Sequence, residues 1–373
     1  KVDILLEMRL SGVAEQEYTM LYGKCQLIKH NPKDETMKKT WILVCILSIS
    51  FAGCASKKTI KPAGQNLPEV INKSNLVNPF EVEGKWYRAN LHTHTTLSDG
   101  DVNLPVRIKQ YRDKGYNVLV ITDHEKTNNI AGYSDANMLV INGMESHPVC
   151  PGAEIKYHFV CLNIPFGFHR DPNASAQQVV DSVKSAGGEI IVAHPYWCGY
   201  TPRELLAVDR YIGIEVYNGN FRYTGKGYSS VQWDQLSNTG KIIPAVANDD
   251  LHQSEMIGQS WTMIKAKQLN IDSIMDSLRK GCYYASNGPV IEDFRADANN
   301  AFVKCSPVVG ICFMGQNNLH HDITSDRDHL ITSGSYKLPK NIRYVRAEVV
   351  DANGRHAWTN PIDIQKIKNA IKN

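Results

Sequence analysis

The sequence lacks several features that would have decided its class at once. No apolar run reaches the about 20 residues that a helix needs to cross a bilayer. The longest, WILVCILSISFAG from Trp41 to Gly53, stops short of that. The formal charge is only +3, with 41 basic against 38 acidic residues, so no stable nucleic-acid binding is expected. The nine cysteines contain no CxxC pair and no regular framework, which argues against a cysteine-type structural zinc. No G-x-S-x-G elbow and no Walker A loop is present, so neither a serine nucleophile nor a P-loop is indicated. Internal repeats and low-complexity tracts are missing too. What remains is a globular composition, 42% hydrophobic and 21% charged over 373 residues, enough for two domains.

The N-terminal region reads as processing signal rather than fold. Met37-Lys38-Lys39 precedes the apolar run, which has the length and flanks of a signal-peptide core. It closes on Phe51-Ala52-Gly53-Cys54, which resembles a bacterial lipobox, so Cys54 is expected to carry a lipid. An ordinary secretory signal or a buried helix is the alternative. Residues 1–53 are thus taken as an upstream extension plus lipoprotein signal, and 54–84, rich in Lys, Asn, Pro and Gly, as a tether. The expected place is exported, lipid-anchored and periplasm-facing, at the outer membrane, because no Asp follows Cys54. Of the six later cysteines, Cys305 and Cys312 are candidates for a hairpin disulfide; otherwise the six read as small buried apolar residues.

From Trp86 onward the pattern changes. Strands are expected at 86–91, 117–122, 138–142, 157–163, 189–193, 212–217, 242–247 and 260–265. Helices are expected at 103–114, 173–187, 202–208, 229–239 and 270–280. Short buried strands alternating with helices argue for a parallel sheet with helical crossovers, and the repetition favours a closed β/α barrel over 85–289. After Ser286-Asn287-Gly288-Pro289 the helical signals stop. Residues 290–373 alternate apolar and polar residues between turn signals, as in a small all-β, sandwich-like domain.

Six histidines, His92, His94, His124, His158, His194 and His252, fall at or just after expected strand ends, beside small or acidic residues. In a parallel α/β barrel those ends share one face. His92-Thr93-His94 puts two imidazoles at i and i+2, on one side of a strand, and Asp99 follows in a turn marked by Gly100. Thr122-Asp123-His124 closes the buried run NVLVIT, where polar groups are costly unless used. Glu145 follows MLVIN, and its carboxylate can bridge two cations. His158 lies in YHFVCLN, His194 precedes Pro195, and Asp250 and His252 end the strand IIPAVA.

These fragments, in this order over residues 86–290, resemble the PHP (polymerase and histidinol phosphatase) family. The resemblance implies a distorted seven-stranded, TIM-like β/α barrel and two or three divalent ions (Zn, Mn or Fe). Its ligand set would be His92, His94, Asp99, His124, Glu145, His158, His194, Asp250 and His252. Asp123 and Asp249 would orient His124 and the Asp250 loop. Two ions about 3.5–4 Å apart can share a hydroxide that attacks a phosphoester, with no side-chain nucleophile and no assignable general acid. The tail, LRKGCYYASNGPVIEDF and YVRAEVVDANGRHAWTNPI, is similar to that of a branch with carbaryl-type ester hydrolases. A carboxylic or carbamic ester substrate on the same site is therefore the alternative, and a non-catalytic metal- or ligand-binding lipoprotein a third. The expected partner is a small-molecule phosphoester or ester; the oligomeric state stays open.

Other features carry less. Arg170, Arg222 and Arg279 are candidates for phosphate contact but read as surface residues. His147 is a candidate to face the pocket. Tyr196, Trp197 and Tyr200 wall the cleft or simply pack. His320, His321 and His329, with Asp322, Asp326 and Asp328, resemble a metal site but read as a solvated loop, and His30, His169 and His356 read as ordinary.

Overall fold

The computed structural model describes residues 6–8, 18–20, 28–29, 76–150 and 155–372. The apolar run, Cys54 and the first part of the tether lie outside them. The chain divides into two compact units, Lys1–Gly64 and Gln65–Asn373. In the first, β1 (Leu6–Met8), β2 (Tyr18–Met20) and β3 (Ile28–Lys29) form an antiparallel sheet. Among the described residues no helix is long and apolar enough to cross a membrane.

The second unit opens as a mixed α/β layer. Its elements are β4 (Lys85–Asn90), α1 (Leu104–Asp113), β5 (Val118–Ile121), β6 (Leu139–Ser146), β7 (Phe159–Leu162), α2 (Ala176–Ser185) and β8 (Glu189–Val192). There follow α3 (Pro195–Cys198), α4 (Pro202–Leu206), β9 (Gly213–Asn218), α5 (Ser230–Asn238), β10 (Ala245–Asn248), β11 (Trp261–Ala266), α6 (Ile271–Lys280) and β12 (Tyr283–Ser286). Every expected strand and helix is present. The helices start where capping chemistry puts them: Asn103 and Asn270 accept from the third residue on, and Ser175/Gln178 and Thr201/Glu204 form capping boxes. The strands β5 and β8 are buried at every position, which is why VLVI and the IIV of β8 read as apolar runs, the leading Glu189 of β8 being paired with Lys184 and Arg279.

The strand order is β10-β9-β8-β7-β6-β5-β4-β11-β12, and beyond β12 the sheet continues into strands of the tail. The expectation of a parallel sheet needs correction. The β4–β5, β5–β6, β8–β9 and β9–β10 pairs are parallel, but β7 runs antiparallel to both neighbours and β11 antiparallel to β4. Among the described residues no helix lies between β6 and β7, where a parallel pair would ordinarily be joined by a helical crossover.

One face of this sheet encloses a single core. Ala89, Val118, Val120, Ile141, Val160, Ile191, Val246, Ile264 and Tyr283, from eight different strands, pack together. Their alternates Leu119 and Ile121 pack outward with Ile108 and Tyr111 of α1. Chain segments just past β4 and β10 also meet. Thr93 bridges Leu251 in parallel register, the Asn248 side chain accepts from the Leu91 amide at 2.8 Å, and the Asn90 side chain accepts from the Asp249 amide at 2.8 Å.

The tail is antiparallel β-structure. It comprises β13 (Ile291–Ala296), β14 (Asn300–Val308), β15 (Gly310–Met314), β16 (His320–Thr324), β17 (Ile331–Lys337), β18 (Tyr344–Val350), β19 (His356–Trp358) and β20 (Ile362–Asp363). The sheet β13-β14-β17 shares an apolar core with β15 and β18. One expectation and one candidate pairing fail here. Helices do not stop at residue 289: α7 (Ile364–Lys372) closes the chain, and Ile364 is fully buried in the tail core. Cys305 and Cys312 are both free. Cys305 faces the tail core from β14, whereas Cys312 alternates with the buried Ile311 and Phe313 and so points to the other face of β15.

Candidate metal centre

The site is assembled at one rim of the α/β layer, and the corrected topology explains why. His92 and His94 follow β4, His124 follows β5, His194 follows β8, and Asp250 and His252 follow β10. Glu145 lies near the C-terminal end of β6. His158 precedes β7 instead of ending it. Because β7 is antiparallel, its N-terminal end lies on the same rim as the C-terminal ends of its neighbours.

All nine residues meet, each joined to another member by a contact of 3.4 Å or less. Glu145 is the hub. Its Oε2 lies 2.8 Å from His124 Nδ1, 3.3 Å from His92 Nε2 and 3.5 Å from His94 Nε2. Its Oε1 lies 2.8 Å from His158 Nδ1 and 3.2 Å from His194 Nε2. Asp250 Oδ1 lies 3.0 Å from His94 Nε2 and 3.2 Å from His92 Nε2. Asp99, half-exposed at the rim, reaches His124, His252 and His94 at 3.3, 3.4 and 3.7 Å.

The electrostatics follow from burial and convergence. Burial alone would raise Glu145, but His92, His124, His147 and His158 outweigh it and hold its carboxyl well below the usual range. Asp250 is likewise held low by His92 and His94 against its burial. Burial lowers His158 to about 4, which leaves its imidazole neutral at neutral pH. For His92 the effect of burial is overcome by Asp250, Glu215 and Glu145, which push it well up. The carboxylates thus draw positive charge into the centre.

The donor chemistry fits divalent cations. Several triads and one quartet hold ligand atoms within 4.8 Å of one another, among them His94-Asp99-His124-His252, His92-His94-Asp250 and His124-Glu145-His147. Three buried ring nitrogens, His92 Nε2, His124 Nδ1 and His147 Nε2, make no hydrogen bond although carboxylate oxygens stand nearby. Lone pairs converging without donors are what a cation satisfies.

Sequence reasoning missed the supports. Glu215, fully buried on β9, accepts from His92 Nδ1 at 2.8 Å, from the His194 amide at 2.9 Å, and from the Asn218 and Asn248 side chains at 2.9 Å. It fixes the His92 tautomer so that Nε2 faces the centre. The signal was a lone carboxylate in the apolar run IGIEVY. Arg107, also fully buried, donates to the His94 and His252 carbonyls at 2.9 and 3.3 Å. His147 joins the cluster, 3.6 Å from Glu145. Cys198 Sγ lies 3.3 Å from His194 Nδ1, so a cysteine does border the centre. The non-glycine residues His194 (φ 26°) and Asp250 (φ 51°) take left-handed conformations, backbone strain of the kind that collects at functional sites.

Asp123 and Asp249 both organise loops, Asp249 as expected and Asp123 in another place. Asp123 accepts from Thr95, Ser98 and Asn128, shaping the loop after His94 instead of orienting His124. Asp249 accepts from Gly258, Ser260 and Tyr111, tying down the segment after Asp250, and burial raises it to about 6. The arginines are engaged elsewhere: Arg170 with Glu125 at 3.0 Å, Arg279 with Glu189 at 2.6 Å, and Arg222 over the Tyr223 ring. His320 and His329 pair with Asp322 and Asp326 in the exposed tail, and neither belongs to a metal-capable group among the described residues.

No protein-family model and no curated protein matches this chain. Among solved structures it is similar to a two-domain protein from Bacteroides vulgatus containing a predicted PHP-like metal-dependent phosphoesterase. That likeness has 15% identity and a TM-score of 0.44, and covers 78% of this chain and 99% of that one. It is also similar to an amidohydrolase from Chromobacterium violaceum, at 17% identity and a TM-score of 0.36, covering 44% of this chain and 87% of that one. A proposed metal-dependent phosphoesterase from Bifidobacterium adolescentis is similar at 15% identity and a TM-score of 0.36, covering 53% of this chain and 98% of that one.

Proposed function

We propose that this chain is a PHP-type metal-dependent hydrolase that cleaves a phosphoester, with its α/β layer a distorted barrel closed where β10 meets β4. The observation that carries the reading is the convergence of six histidines on Glu145, with buried ring nitrogens that lack hydrogen bonds. We assign His92, His94, Asp99, His124, Glu145, His158, His194, Asp250 and His252 as ligands of two or three ions, Zn, Mn or Fe. Bound divalent ions would lower the pKa of water toward about 7 and polarise the scissile oxygen. The chain's part is orientation. Glu215 holds His92 and the His194 backbone, Arg107 holds the His94 and His252 backbone, and Asp123 and Asp249 fix the flanking loops. Asp99 marks the solvent side, where substrate enters.

A carboxylic or carbamic ester is the second reading. It is favoured by the arginines, since the guanidinium of Arg170 is bound by Glu125 and not free for a phosphate dianion. A panel of phosphate and carboxyl esters, offered to protein loaded with Zn, Mn or Fe, separates the two. Turnover of carboxyl esters alone rejects the phosphoester reading. Lipid anchoring through Cys54, facing the periplasm, is part of the same proposal; Cys54→Ser then leaves the membrane fraction, and continued membrane association rejects it.

A further inference from the structure

Beside the metal centre stands an aromatic wall. Trp197 and Phe221 stack at 4.7 Å with planes 18° apart. Both present their faces or edges to the His194 ring, at 5.3 and 5.2 Å, and Trp197 also meets His158 at 5.4 Å. Trp197 is 40% exposed, and neither ring belongs to an apolar core cluster among the described residues. The pair lies outside the apolar core clusters of the described residues and packs instead against two residues of the metal centre.

The wall is also built, from two loops each tied to the centre. Phe221 follows Asn218 and Asn220. The Asn218 side chain donates to Glu215 at 2.9 Å and to Asp250 at 3.1 Å, and the Asn220 side-chain Nδ2 lies 3.4 Å from His252 Nδ1. Gly219 lets this loop lie down, because a Cβ there would stand 3.1 Å from the Asp249 carbonyl oxygen. Trp197 sits on the single turn of α3, which follows His194 directly and is pinned where the Tyr196 amide donates to Ser229 Oγ at 3.0 Å.

We infer that Trp197 and Phe221 form a subsite for a planar aromatic group of the substrate, placed next to the scissile bond. The inference rests on the hydrolase reading of the neighbouring cluster, since a group whose reacting atom lies at Glu145 reaches past His194 onto this wall. Aromatic stacking adds to area burial and is selective for flat rings, so a saturated ring of the same size gains less.

The test uses phenylphosphonate, cyclohexylphosphonate and methylphosphonate, titrated calorimetrically into the metal-loaded full chain. Phenylphosphonate is expected to bind about tenfold tighter than methylphosphonate and several-fold tighter than cyclohexylphosphonate. In Trp197→Leu and Phe221→Leu, both checked for unchanged metal content and circular dichroism, the preference for the flat ring falls to within about twofold. Equal affinities in the wild type, or a preference that survives in both variants, overturns the subsite. Saturation-transfer NMR with phenol separates the two readings. A phenol signal that is present in the wild type and disappears in Trp197→Leu, with no phosphonate binding at all, upholds the subsite and defeats the phosphoester reading. Absence of both defeats the subsite.

Discussion

Two clusters of buried charge lie in the second unit, and only one of them satisfies itself. In the tail, the fully buried Arg346 reaches Glu348 at 3.0 Å and Asp234 of α5 at 2.9 Å, and His356 lies 2.7 Å from Glu348. Every polar group of its guanidinium finds an acceptor. At the rim, Glu145 and Asp250 are crowded by imidazoles, and three buried ring nitrogens, on His92, His124 and His147, make no hydrogen bond. The first pattern is a closed ion network that ties the tail to the α/β layer. The second is a set of lone pairs awaiting a cation. Histidine count alone does not separate them; the direction of the hydrogen bonds does.

The largest effects belong to the rim. His94→Ala and Asp250→Ala should each abolish activity and lower the metal content per chain, while circular dichroism shows a folded protein. Unchanged metal content in both would collapse the distinction. In the tail the cost should fall on stability instead. Arg346→Met strands the carboxylates of Glu348 and Asp234 and is expected to cost about 3–5 kcal/mol in denaturant unfolding, with metal content untouched.

Acid sharpens the comparison further. Burial would raise Glu348, but His356 and Arg346 hold it down to about 2. A depressed carboxylate stabilises fully above its ordinary value near 4.5, and the contribution fades as pH falls toward 2. Glu348→Gln should remove stability on the order of 3 kcal/mol at neutral pH and flatten the acid limb of the stability profile. A mutant limb as steep as wild type would show that the tail network is not what titrates there. The smallest expected effect is that of Glu215→Gln, which keeps the shape but weakens the hold on His92. Metal affinity should drop about 10–100-fold, read by competition with a chromogenic chelator.

Much of this was legible in the sequence because the physics was local. Apolar runs such as the VLVI of β5 and the IIV of β8 announce strands buried on both faces, and a histidine or carboxylate at the end of such a run is conspicuous. Most of the rim histidines stand out that way, whereas Asp99 lies in a turn, His158 precedes its strand, and the full set of nine is what the PHP resemblance implies. The direction of β7 was not legible, because pairing direction depends on the missing crossover and not on the strand's own residues. Glu215, Asn90, Asn218 and Asn248 were passed over because single polar residues inside apolar strands reveal their partners only in three dimensions. The helix α7 was missed because IQKIKNAIK has one apolar stripe and no core visible to receive it until the tail sheets are in place.

The most direct test of the central claim is elemental analysis of chelator-free wild type beside Asp250→Ala. Two or three Zn, Mn or Fe ions per wild-type chain, and fewer in the variant, is the result expected. A wild type that holds no metal even after reloading would contradict the account.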